Sequence, residues 1–267
     1  MSDAIQCNAT CWKDLDAIRE LMPRKVQRVL LYGWPATGKS KFGHMLAERL
    51  GVESYPVTLN EDMGAADLIG MQMPDGKAGV TFLEGPATRA FRGGVLNLDE
   101  IDKAGPDAQV KLHSILDDAD TARLYLPTGE TVTPAKNFCV VATMNATPDA
   151  LPEPIRSRFQ ITVNVSSPAP GILSTLQERE EPCGNVYRFA AALVGAYAGA
   201  EGDEGKPPWF DSRQMLTFSD LILDGVAADI AARWVWESRG EEILDHLKLG
   251  ARDGDEAVAA ASGRIDV

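Results

Sequence analysis

Short apolar runs alternate with amphipathic stretches through the first 165 or so residues, and most runs are closed by Gly, Pro, Asn or Asp. Val29-Leu30-Leu31-Tyr32 is an unbroken apolar run, as expected of a strand covered on both faces. The spacing from Lys39 to Leu50 predicts a helix with Phe42, Met45, Leu46 and Leu50 on one face and Gly51 as its stop. Pro56 to Leu59, Val95 to Asp99 and Asn137 to Thr143 predict three further strands, and the alternation of Ile161, Val163 and Val165 marks a fifth. Strands separated by helices in this way predict an α/β fold, with a parallel five-stranded sheet flanked by helices.

After Pro168 and Pro170 the pattern becomes helical throughout. We therefore divide the chain into an α/β domain of residues 1–168 and a small all-helical domain of residues 169–267. In the second part Glu181 to Ala200 and Gln214 to Glu237 have helical periodicity, and Gly202 to Pro208 is a Gly/Pro/acidic loop. Trp234 and Trp236 lie two apart and so face different sides of their helix, one packing inside and the other free to meet a neighbour.

The charge balance is 26 basic against 39 acidic residues, a net −13 in 267 residues. A chain of this sign disfavours coating of DNA or of anionic membranes, both of which need a basic surface. No apolar run reaches the length of a membrane span, and Met1 to Thr10 lacks the pattern of a secretory signal, so the expected address is cytoplasmic. Cys7, Cys11, Cys139 and Cys183 have no spacing of a zinc site and read as reduced thiols. His44, His113 and His246 offer no metal-ligating pattern either.

The chemistry is concentrated at strand ends. Gly33-Trp34-Pro35-Ala36-Thr37-Gly38-Lys39-Ser40 fits G-x-x-x-x-G-K-[ST] and stands between a strand and a helix, the context a phosphate-binding loop requires. Small residues let successive backbone N–H groups curl around a β-phosphate, and the helix running on through Lys41 turns its positive end toward it. Lys39 is placed to reach the β- and γ-phosphates and Ser40 to coordinate Mg²⁺. Ala36 stands where glycine is common, so a demand for positive φ there would weaken nucleotide binding.

Val95-Leu96-Asn97-Leu98-Asp99-Glu100 is an apolar strand ending in two acids, at the edge where open α/β sheets bind ligands. Asp99 is the candidate Mg²⁺ partner, and Glu100 the group that polarises an attacking water. Asn145 ends the next apolar strand, at the same edge, as a candidate for orienting that water and sensing the γ-phosphate.

These motifs, with the strand ending Thr143-Met144-Asn145 and the segment Leu151 to Phe159, resemble the AAA+ ATPases of the P-loop NTPase class. Leu59 to Asp62, Asp67 to Gly70, Gly85-Pro86-Ala87 and Gly93-Gly94 narrow the resemblance to the MoxR and dynein/midasin-related branch. The resemblance implies an AAA+ core with a helical lid, ATP and Mg²⁺ as ligands, and a homo-oligomer, either a ring hexamer or an open helical assembly. It implies an arginine finger acting in trans, with Arg158 matching best and Arg156 as its alternative or assistant, and a sensor arginine at Arg213, where Ser212 is a plausible N-cap. It further implies that the interval Ile69 to Arg89 holds an insert in the second helix facing a pore or partner, and that Leu124 to Val132 forms a hairpin. The expected function is ATP-driven remodelling, activation or assembly of a protein partner, such as a von Willebrand factor A-type protein. The alternatives are a slowly hydrolysing assembly scaffold and a McrB-like GTP-dependent DNA motor, the latter disfavoured by the net charge.

Overall fold

The computed structural model describes residues 10–76, 79–165, 169, 172, 175, 211–241, 243 and 244. The chain divides into two units, one of Lys13–Trp34 with Gly38–Val165, the other of Met1–Trp12, Pro35–Thr37 and Ser166–Val267. The segment Glu181 to Ala200, the loop Gly202 to Pro208, and Cys7, Cys183 and His246 lie outside the described residues, as does the boundary read near residue 168.

The first unit carries a sheet of five strands, β1 (Arg28–Tyr32), β2 (Glu53–Thr58), β5 (Gly94–Asp99), β8 (Cys139–Met144) and β9 (Ile161–Asn164). Their order is β2-β5-β8-β1-β9 and every neighbouring pair is parallel. All six residues of β8 and five of the six in β5 are buried, which is why both read as continuous apolar runs. The edge strand β9 alternates instead, and the edge strand β2 is mostly exposed or half-buried, with only Val57 buried. Strand β2 begins at Glu53 rather than Pro56, because a sheet edge tolerates a proline that lacks an N–H to donate.

Helices α1 (Thr10–Leu21), α2 (Lys39–Leu50), α3 (Ala65–Ile69), α4 (Pro86–Phe91), α5 (Pro106–Ile115) and α6 (Glu153–Arg156) intervene. Helix α2 has the predicted limits, but its buried face is Lys39, Phe42, Gly43, Leu46 and Ala47, while Met45 is exposed. An apolar criterion passes over glycine and alanine, and here they let the helix approach the sheet: a Cβ on Gly43 would come to 1.7 Å from Asn97 Oδ1. Asn97 is buried in the middle of β5 and donates through Nδ2 to Ser54 Oγ at 2.6 Å.

The interval between α3 and α4 forms an antiparallel hairpin, β3 (Gly70–Pro74) with β4 (Val80–Glu84). The register pairs Met71 with Leu83 and Met73 with Thr81 on one exposed face, and Gln72 with Phe82 on the other, where Phe82 packs against the core. The predicted second hairpin is present as β6 (Leu124–Tyr125) against β7 (Thr131–Val132). Arg92 joins the two hairpins, donating to Glu84 at 2.8 Å and to Glu130 at 2.9 Å, and these bonds raise its pKa further.

Cys11 and Cys139 are buried free thiols. Burial pushes the Cys139 thiol up to about 12, so it carries its proton at neutral pH and is a poor nucleophile.

In the second unit, α7 (Ser212–Leu223) and α8 (Ala228–Trp236) replace the single helix expected from Gln214 to Glu237. Gly225, with φ of 84°, turns the chain between them. Phe218 and Trp236 pack with tilted rings at a centroid distance of 4.9 Å within a small core, whereas Trp234 is 66% exposed. Among the described residues no helix is long and apolar enough to cross a membrane.

Candidate functional site

The sheet register decides which residues meet. Strand β8 lies between β5 and β1, with Leu98 opposite Ala142 and Tyr32 opposite Met144. Asp99 therefore comes level with Thr143, and the loop starting at Gly33 comes level with Asn145. The hydrogen bonds follow: Thr143 Oγ1 donates to Asp99 Oδ1 at 2.7 Å. Lys39 Nζ donates to the carbonyls of Gly33 at 2.8 Å and Trp34 at 2.5 Å and to Asn145 Oδ1 at 3.2 Å. Lys39, Asp99 and Asn145, separated by up to 106 positions in sequence, are thus gathered at the C-terminal edge of three adjacent strands.

The loop before α2 is curled by positive φ at Gly33 (125°), Ala36 (61°) and Gly38 (97°). Alanine in the left-handed region costs about 1 kcal/mol, so the position flagged by sequence does require the unusual backbone. Gly38 is the N-cap and offers no side-chain cap, which leaves the first-turn N–H groups and the positive end of the helix directed at the loop. Lys39 is 6% exposed and Thr37 is buried. Trp34 is half-buried, and Pro35, Ser40 and Lys41 are exposed.

Asp99 is half-buried, with Oδ1 taken by Thr143. Glu100 is exposed, and its φ of 56° makes it a second non-glycine residue in the left-handed region, immediately after the strand. Such strain is retained where a side chain must be aimed against local preference.

Two of the other predicted residues lie elsewhere in the same unit. Arg156 and Arg158 sit just before β9, which runs parallel to β1, so they are at the N-terminal edge of the sheet. The length of β1, roughly 16 Å at the usual rise per residue, separates that edge from Lys39. Arg158 Nε donates to Asp117 Oδ1 at 2.9 Å and Nη1 to the Pro154 carbonyl, while Arg156 pairs with Asp149. Arg213, in the second unit, is exposed at the first turn of α7. The N-cap of that helix is Asp211 rather than Ser212: its carboxylate accepts from the Arg213 N–H at 2.8 Å, and Ser212 is already inside the helix.

Sequence reasoning assigned no role to Thr143, Arg28 or Asp117. The available signal was a polar residue in an otherwise apolar strand: Thr143 lies in β8, and Arg28, which is buried, opens β1. A buried charge demands partners. Arg28 donates to the carbonyls of Arg158 at 2.9 Å and Asp117 at 2.7 Å and to Asp118 Oδ1 at 2.5 Å.

Residues 28–159 match the family described as the AAA domain (dynein-related subfamily). Protein CbbQ of Hydrogenophilus thermoluteolus is 33% identical over 211 residues, 76% of this chain and 77% of that one. The denitrification regulatory protein NirQ of Pseudomonas aeruginosa is 40% identical over 119 residues, 44% of this chain and 45% of that one. The match thus spans less than half the length of NirQ. Among solved structures, the Holliday junction branch migration motor RuvB of Thermotoga maritima aligns with a TM-score of 0.49 and 18% identity, over 82% of this chain and 64% of that chain.

Proposed function

The chain belongs to the dynein-related, MoxR-like branch of the AAA+ ATPases, and from that premise we propose that it hydrolyses ATP to remodel, activate or assemble a protein partner. The observation that carries this reading is the bonding of Lys39 to Gly33, Trp34 and Asn145 beside the Asp99–Thr143 pair. A phosphate-loop lysine, an acidic strand end and a polar strand end at one edge are the groups that position a triphosphate and a water.

The roles follow from the chemistry of each side chain. Lys39 would exchange its loop carbonyls for β- and γ-phosphate oxygens, with the N–H groups of Gly38, Lys39 and Ser40 holding the same phosphates, the Lys41 N–H being bonded to the Gly38 carbonyl. The oxygen donors Ser40 and Asp99 fit Mg²⁺, since Asp99 keeps one carboxylate oxygen beyond its bond to Thr143. When bound, Mg²⁺ supplies neutralisation of the charge on the transferring phosphoryl group. Glu100 accepts the proton of the attacking water, and Asn145 orients that water through its amide. Arg158 serves a neighbouring copy, with Arg156 assisting, because both stand a strand length away from the Lys39 edge of their own subunit. Arg213 is the candidate sensor from the helical unit.

In this reading the protein acts as a homo-oligomer, and its targets are proteins rather than nucleic acid, in keeping with the net charge of −13. The apolar face formed by Met71, Met73 and Leu83, together with the exposed Tyr125 of the second hairpin, is the surface offered to a target. A von Willebrand factor A-type protein is the partner class the family relationship favours.

Replacing Glu100 by Gln tests the reaction. It should leave ATP binding intact and reduce steady-state turnover by about 10²-fold or more, the contribution of a general base. Undiminished phosphate release from Glu100→Gln would remove Glu100 from the mechanism.

A further inference from the structure

We propose that Asp117 is a positioning residue for the Arg158 finger and that Arg28 is the brace beneath both; this rests on the reading of Arg158 as a finger acting in trans. Four polar residues from three distant parts of the chain converge at the N-terminal edge of the sheet. Arg28 opens β1, Asp117 and Asp118 follow the end of α5, and Arg158 precedes β9. Arg28 has a side chain only 6% exposed, and it directs Nε to the Arg158 carbonyl, Nη1 to the Asp117 carbonyl and Nη2 to the Asp118 carboxylate. A buried guanidinium with all three nitrogens engaged by the two loops fixes those loops to one another.

Asp117 is bound twice. Its carbonyl accepts from Arg28, and its carboxylate accepts from Arg158 Nε. That second bond grips the guanidinium at its inner nitrogen. Nη1 is turned to the Pro154 carbonyl of the adjacent helix, and Nη2 makes no hydrogen bond among the described residues. A surface ion pair that consumed the arginine would engage its outer fork, whereas this one holds the inner nitrogen and leaves Nη2 available. Fixing a side chain with many rotamers before it meets its target removes that ordering from the reaction step. The neighbouring Arg156 has a different arrangement, its only ion pair among the described residues being to the exposed Asp149.

The test is a double-mutant cycle on the full chain, read as ATP turnover against ATP concentration, with single-turnover measurements for the slow variants. Asp117→Ala should lower kcat by about ten- to a hundredfold, the scale of a misplaced catalytic group, with KM for ATP unchanged. Asp117→Asn, which keeps a neutral acceptor, should fall between this variant and the parent, and it carries the same cycle if the alanine variant does not fold. In an Arg158→Ala background either substitution should have no further effect. Parental kcat in both Asp117 variants, a raised kcat, or an added loss in the Arg158→Ala background would overturn the positioning role. If Arg158→Ala alone leaves turnover intact, the finger reading itself fails; if Arg158→Ala abolishes turnover and the Asp117 variants do not reduce it, only the positioning role fails.

Discussion

Ala36 shows at the scale of one residue how a departure from the usual loop can be read physically. Its φ of 61° is a conformation glycine adopts without steric cost. Ala36→Gly should therefore stabilise the folded chain by up to about 1 kcal/mol, strain relief being offset in part by the greater freedom of glycine when unfolded. The midpoint of urea unfolding measures this, and a lower midpoint would mean that alanine bears no strain there. The residues that were legible from sequence, Lys39, Asp99, Glu100 and Asn145, share one property: spacing along a single strand or loop fixes their position at a sheet edge. Thr143, Arg28 and Asp117 were not legible as site residues, because each acquires its role from a partner that only strand register or loop packing brings near.

Elements were legible in proportion to how completely they are buried. Strands β5 and β8, buried on both faces, appear in the sequence as apolar runs, and β1 does so almost as clearly. The edge strand β2 was displaced by three residues at its start because its proline resembles a boundary. Helix α2 was delimited correctly, yet its buried face was misread, since contact with the sheet is made through Gly43 and Ala47 as well as Phe42 and Leu46. Gly43→Ala puts propensity and packing in opposition. Alanine gains about 1 kcal/mol as a helix former, but its methyl would stand 1.7 Å from the Asn97 amide oxygen. Packing should win, with a net loss of about 1–3 kcal/mol, because overpacking against a buried, hydrogen-bonded side chain forces the helix outward. Thermal unfolding of the variant measures the balance, and a melting temperature at or above the parent's would show that Asn97 can turn aside. In the second unit the break at Gly225 was missed because the apolar spacing continues across it on both sides.

For the whole molecule, the decisive feature is the distance between two chemistries that one sheet holds apart. The groups proposed to bind phosphate and activate water lie at the C-terminal edge, and Arg158, the proposed finger, lies at the N-terminal edge. A parallel sheet cannot bring its two edges together within one copy, so a site that needs both must be shared between copies. The two hairpins tied by Arg92 add a surface on which hydrolysis could act, and the connection between α4 and β5 places that arginine just before the strand that ends in Asp99. The most direct test of a shared site is to mix Arg158→Ala chains, which lack the finger but keep Lys39, with Lys39→Ala chains, which lack the lysine but keep the finger. Each alone should be nearly inactive, and ATP turnover in the mixture should rise well above the sum of the two, greatest near equal proportions. A mixture that never exceeds that sum at any ratio, although the two chains co-assemble, would contradict the account.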